Sequence, residues 1–133
     1  MDGRIIGMKG RPIVMMRIAE ALPELVEEIR QFLVAEGRRD IADQFADLTL
    51  SRWTYDTDAD AGYVYLAGQR VLNLVEQTVI VARHGECIEI EASAGMVVLD
   101  TDNFRRVTGI EILNRKDLKR KLERLPTTSP PVR

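Results

Sequence analysis

The 133-residue sequence is poor in the side chains from which most active sites are built, with one cysteine, Cys87, and one histidine, His84. A single cysteine closes no internal disulfide and supplies no cysteine-rich zinc site. Aromatic residues make up 5% of the chain, so a small core needs most of those it has. No apolar run approaches the roughly 20 residues that a membrane-spanning helix requires. Residues 1–17 carry basic side chains but no continuous apolar stretch ahead of a small-residue cleavage site, so they do not read as a secretory leader. Neither a phosphate-cradling glycine loop nor a dinucleotide fingerprint occurs. These absences lead us to expect a cytoplasmic protein that is not an enzyme and uses no cofactor.

What is present suits one folded domain. Hydrophobic residues make up 45% of the chain and charged residues 30%. A chain of this length buries roughly two-thirds of its unfolded surface, enough for a core without disulfides or metal. The net charge of −2 is unevenly placed. From Arg105 onward nine Lys or Arg face only Glu111, Asp117 and Glu123, which leaves the rest of the chain acidic.

The pattern of the chain predicts an α+β fold: an N-terminal helix pair packed on a mostly antiparallel sheet and closed by a short C-terminal helix. Residues 1–16 form an extension of uncertain order, because Gly3, Gly7, Gly10 and Pro12 interrupt regular structure there. The run Ile13 to Met16 reads either as an edge strand or as part of an unstructured leader to a start at Met15 or Met16. Residues 17–125 form the single domain, with a helical part over 17–48, a β part over 49–113 and a basic helix over 115–125. Leu22, Leu25, Val26, Ile29, Phe32 and Leu33 recur at helical spacing, with Pro23 in the first turn and Gly37 as the stop. A shorter helix carries Ile41, Phe45 and Leu48, with Asp40 as its N-cap. Alternating patterns predict strands over 49–55, 63–66, 71–74, 78–83, 86–92, 96–100 and 107–113. His84-Gly85 reads as a two-residue hairpin turn that pairs Val81 with Ile88 and Val79 with Ile90. Leu118, Leu122 and Leu125 form the apolar stripe of the last helix, and residues 126–133 read as a disordered tail.

Two stretches carry a family likeness. One runs Tyr55-Asp56-Thr57-Asp58-Ala59-Asp60-Ala61-Gly62-Tyr63-Val64-Tyr65-Leu66, and the other runs from Val97 through Asp100 and Asp102 to Gly109-Ile110-Glu111-Ile112-Leu113. A Tyr-Asp, an Ala-Asp, a tyrosine-bearing strand, an apolar-Asp strand and a closing Gly-Ile-Glu-Ile-Leu together resemble the bacterial family called domain of unknown function 2283. The likeness covers residues 55–113. It departs from the family pattern at the segment around His84-Gly85, which reads as an insertion, and at Asn103-Phe104, where a glycine is usual. The resemblance implies a compact β-rich fold, no established activity, no cofactor, and an antitoxin-like role beside a small toxin-like protein.

Four groups of residues are candidate sites. Trp53, Tyr55, Tyr63 and Tyr65 lie in neighbouring strands; on a shared exposed face they would anchor a protein partner, and otherwise they are core. Arg115, Lys116, Lys119, Arg120 and Lys121 would meet nucleic-acid phosphates, or else complement the dipole of their own helix. Asp56, Asp58 and Asp60 resemble the start of a calcium loop but lack the required glycine and glutamate; Asp100 and Asp102 would have to complete the metal site. His84 and Cys87 read as a turn residue and a half-buried strand residue, with no assembled catalytic constellation. The expected function is therefore a non-catalytic protein-interaction module that associates with itself or a protein partner. Nucleic-acid association and metal or small-ligand binding are the alternatives, and no membrane role is expected.

Overall fold

Residues 11–67, 83–92 and 94–127 are described in the computed structural model. The alternation that begins at Thr49 becomes an antiparallel sheet of six strands. The strands are β1 (Arg11–Arg17), β2 (Thr49–Asp56), β3 (Ala61–Ala67), β4 (His84–Ala92), β5 (Gly95–Asp102) and β6 (Val107–Leu113), in the spatial order β1-β2-β3-β6-β5-β4. Helix α1 (Ile18–Ala21), helix α2 (Pro23–Ala35), helix α3 (Arg39–Ala42) with the 3-10 turn Asp43–Ala46, and helix α4 (Lys116–Glu123) complete the α+β fold. Among the described residues, no helix is long and apolar enough to cross a membrane.

The helices cover one face of the sheet. Leu25, Val26, Ile29 and Leu33 of α2 join Ile41, Phe45, Leu118 and Leu122 in one buried cluster. From the sheet that cluster takes Leu50, Trp53, Val64, Leu66, Ile88, Ile90, Val97, Leu99, Ile110 and Ile112. Side chains alternate across a strand, so these residues fix the opposite parity to the outer face. Burying each aliphatic side chain contributes about 1.5–3 kcal/mol, which makes this cluster the main source of stability.

Helix α2 ends where glycine permits it. Gly37 has φ 76°; its N–H donates to the Val34 carbonyl at 3.1 Å, and the Arg38 N–H donates to the Leu33 carbonyl at 2.7 Å. These two bonds form the Schellman arrangement that satisfies the last carbonyls of a helix. The predicted second helix is split into α3 and the 3-10 turn, and Asp40 is not its N-cap. Arg38 occupies that position, while Asp40 lies in the first turn and pairs with Arg105 at 2.7 Å. Gln44 then brackets the β5–β6 connection, donating to the Arg105 carbonyl at 2.7 Å and accepting from the Val107 N–H at 2.9 Å.

The run Ile13 to Met16 falls within the edge strand β1, which pairs with β2. Along the free side of β1, the Val14 N–H donates to the Pro126 carbonyl at 3.0 Å, and Thr127 makes a bridge. The beginning of the predicted tail is therefore hydrogen-bonded. The expected strand over 71–74, most of that over 78–83 and the pairings of Val79 and Val81 lie outside the described residues. The predicted turn at His84-Gly85 is corrected: both residues belong to β4, and His84 pairs with Asp102.

The basic helix is docked by its most buried charge. Arg115 is 5% exposed and immediately precedes α4; its guanidinium donates to both oxygens of Glu28 and to both of Asp117 at 3.1–3.3 Å. The Arg115 hydrogen bond holds the Asp117 carboxyl below the usual aspartate range. Replacing Arg115 with Ala leaves two carboxylates unpaired beside the core. We expect a loss of about 1–3 kcal/mol in urea denaturation, less than for a fully buried pair because both carboxylates are partly exposed. Because the folded-state pKa of Asp117 is depressed, its contribution is present above the ordinary aspartate pKa and is lost as pH falls through the folded value. The gap between wild type and Arg115→Ala should therefore narrow in acid.

Candidate functional site

The sheet face opposite the helices gathers polar and aromatic groups. Tyr63 and Tyr65 share that parity on β3, with ring centroids 4.8 Å apart and planes at 62°. The Arg52 guanidinium lies 5.0 Å from the Tyr65 ring centroid, within cation–π range. Register places Tyr65 opposite Gly109 and Tyr63 opposite Glu111. The Tyr63 side chain crosses β6 above Gly109, where a Cβ would stand 2.1 Å from its hydroxyl oxygen. Glycine is needed there for room. The Tyr63 hydroxyl thereby donates to Asp100 Oδ2 on β5 at 2.7 Å.

Asp100 is the hub of this face. Its Oδ1 accepts from the Cys87 thiol at 3.3 Å, directly across the β4–β5 ladder, and the Cys87 sulfur lies 3.6 Å from His84 Nε2. One ligand atom from each of His84, Cys87 and Asp100 lies within 4.8 Å of the others. Beside them a cavity of about 290 Å³ is lined by Arg83, His84, Asp100, Thr101, Asp102 and Thr108. The hydrogen bond to Asp100 raises the Cys87 thiol pKa, so the sulfur is held as a thiol rather than activated as a thiolate. Burial, together with the hydrogen bond to the Asp100 carboxylate, also raises the Tyr63 phenol.

The other candidates sit elsewhere. Trp53 is 3% exposed and packs in the core, so it is not on the face with Tyr63 and Tyr65. Tyr55 shares the parity of Trp53; its hydroxyl donates to Asp60, and burial raises its pKa to about 12. The four aromatics therefore divide two and two between the faces.

The acidic residues also separate. Asp56 Oδ1 accepts from the N–H groups of Asp58 and Ala59 at 3.0 and 3.3 Å, which is turn chemistry. Asp60 accepts from Tyr55 and, at 2.7 Å, from Lys116. Asp102 is 5% exposed and is consumed by the β5–β6 turn, taking bonds from Phe104 N, Arg106 N and Arg106 Nε at 2.7–2.9 Å. Ala61 pairs with Leu113, whereas Tyr65 pairs with Gly109 and Gly109 with Asp100. The hairpin aspartates thus lie about 13 Å further along the sheet than Asp100 and do not join it.

The basic group is largely neutralised. Arg115 is buried against Glu28 and Asp117, Lys116 pairs with Asp60, Lys119 with Glu123 at 2.7 Å, and Lys121 with Glu24. Arg120 remains exposed.

The grouping of His84 with Cys87 and Asp100 was missed in the sequence, although a signal for it is present. The β4–β5 turn pairs Ala92 with Gly95, and counting back from that pair sets Cys87 opposite Asp100. Residues 52–116 match the family model described as Protein of unknown function (DUF2283), a span that runs from β2 through β6. No curated protein and no solved structure matches the chain.

Because the Asp100 charge helps to hold the Tyr63 phenol protonated, Asp100→Asn should move the tyrosine titration toward lower pH. Ultraviolet absorbance across the alkaline range reads this directly, with Tyr63→Phe identifying the transition that belongs to Tyr63. An unchanged titration in Asp100→Asn would contradict the hydrogen bond.

Proposed function

We propose that this chain, whose residues 52–116 match the DUF2283 family model, is a non-catalytic protein-interaction module that receives its partner on the sheet face opposite the helices. The observation that carries the reading is the division of labour between the faces. The helices bury one face in a single core, while Tyr63, Tyr65 and Arg52 stand on the other with their rings preset by mutual contact. Rigid aromatic side chains flanked by arginine are the groups that dominate protein–protein interfaces, because they add large contact area at small entropic cost. Met96 and Val98 share that face. The partner envisaged is a second protein, antitoxin-like pairing with a small toxin-like chain being the form the family likeness suggests. We place this exchange in the bacterial cytoplasm.

Two further points support the reading. The thiol of Cys87 is held protonated, which disfavours nucleophilic chemistry at neutral pH. The basic helix, the alternative site for nucleic acid, has most of its charges paired with carboxylates of the same chain, which weakens its claim on phosphates.

A photo-crosslinking residue placed at position 65 in the native host tests the proposal, with position 34 on the exposed part of α2 as the control. One discrete protein adduct at position 65, absent at position 34 and lost when Arg52 and Tyr63 are both changed to Ser, is expected. Equal crosslinking at both positions, or none at position 65, would remove the sheet face as the interface. A third crosslinker at position 120 whose adducts are abolished by nuclease, with none formed at position 65, would transfer the function to nucleic acid.

A further inference from the structure

We propose that His84, Cys87 and Asp100 form a binding site for a divalent ion of the zinc type. The site supplies three protein ligands and leaves a fourth position facing the adjoining cavity.

The ligand set has the right chemistry and very nearly the right spacing. Imidazole nitrogen, thiolate sulfur and carboxylate oxygen are the three ligand classes that zinc takes, at about 2.0–2.1, 2.3 and 2.0–2.2 Å. Tetrahedral angles at those bond lengths place sulfur about 3.6 Å from nitrogen and about 3.5 Å from oxygen. Here Cys87 Sγ lies 3.6 Å from His84 Nε2 and 3.3 Å from Asp100 Oδ1, while all three ligand atoms fall within 4.8 Å. Two of the three edges thus match tetrahedral spacing. The third, between the His84 imidazole and the Asp100 carboxylate, lies within 4.8 Å and would have to shorten by movement of the exposed His84 side chain as the ion binds.

The backbone is specifically shaped to make this grouping. His84 and Cys87 are three residues apart, and in a regular strand residues at that separation point to opposite faces. Their partners Asp102 and Asp100 are only two apart, so β4 carries a bulge between them. A bulge resets the alternation and re-aims a side chain, which is how His84 comes to the same side as Cys87. Gly85 lies inside that bulge, where a Cβ would stand 2.2 Å from the Asp102 carbonyl oxygen. Any other residue would push β4 away from β5 and take His84 with it.

Asp100 is oriented as metal-bound carboxylates are, by a second hydrogen bond to its other oxygen. The Tyr63 hydroxyl donates to Oδ2 and leaves Oδ1 turned toward Cys87. Such outer partners fix the ligand and tune its affinity. Glu89 and Glu111 flank Val98 on the same face, which adds negative charge beside the ion. On binding, the S–Zn bond forms as the Cys87 thiol proton leaves to solvent, so one proton is released per ion. The fourth position faces the cavity lined by Arg83 and Thr108 and is filled by water or by a small anionic group. This site requires no partner, although it shares Tyr63 with the proposed partner face.

Cobalt(II) titrated into the full, reduced chain gives the test, because a thiolate ligand produces a near-ultraviolet charge-transfer band and a tetrahedral site produces strong visible bands. We expect one cobalt per chain with both features, and their loss as zinc is added. Cys87→Ser should abolish the charge-transfer band; His84→Ala and Asp100→Asn should weaken binding at least tenfold, and Tyr63→Phe about tenfold. All four variants change exposed or partly exposed groups, and circular dichroism of the metal-free proteins confirms that each retains its fold. The proposal is overturned if the wild-type chain shows no thiolate band at stoichiometric cobalt, if Cys87→Ser retains it, or if the stoichiometry is one ion per two chains.

Discussion

The pairing of β3 with β6 holds the two halves of the sheet together. β1, β2 and β3 form one half and β4, β5 and β6 the other, and Ala61 to Tyr65 opposite Gly109 to Leu113 is the seam between them. It is the most non-local of the strand pairings, so its closure costs loop entropy that the shared core of sheet and helices offsets. A slip of one residue at this seam would set Val64 opposite Gly109 or Glu111, so either Val64 would leave the core and Tyr63 enter it, or Ile110 and Ile112 would leave it. Everything on the outer face therefore depends on this register. With it, Gly109 lies under Tyr63, and the Tyr63 hydroxyl reaches Asp100 across β6.

That reach links the two readings of the molecule. Tyr63 belongs at once to the aromatic pair proposed as a partner anchor and to the hydrogen-bond line that runs through Asp100 to Cys87 and His84. Most of the α4 cations are directed inward to the protein itself, where Arg115 and Lys121 tie the helix to α2 and Lys116 ties it to the β2–β3 turn. The uneven charge of the sequence is thus spent mainly on assembling the fold, since carboxylates in the first half meet cations in the second.

How much of this was legible in the sequence depends on whether the signal was local. Helix α2 was readable because Pro23, its apolar stripe and Gly37 all act within the segment. The strands were readable from alternation, and β6 begins and ends where the pattern predicts. The DUF2283 likeness was readable from two motifs that fall inside the matched span. Bulges were not readable. A glycine that supplies room for a neighbouring backbone looks the same in sequence as one that supplies positive φ, so Gly85 reads as a turn residue from sequence. Chain proximity sets Trp53 beside Tyr63 and Tyr65 without revealing parity, and the bulge between Leu50 and Arg52 resets the count on β2. Arg115 looked like a surface cation because its partner Glu28 is 87 residues away.

Residue-resolved hydrogen exchange tests the central claim that the β3–β6 seam organises the sheet. The account predicts that backbone amides of β3 and β6 exchange together and among the slowest in the chain, through the same opening that exposes the core strand β5. Fast exchange across β3 and β6 while β4 and β5 stay protected would contradict it, because the halves of the sheet would then be separable and the outer face would have no fixed register.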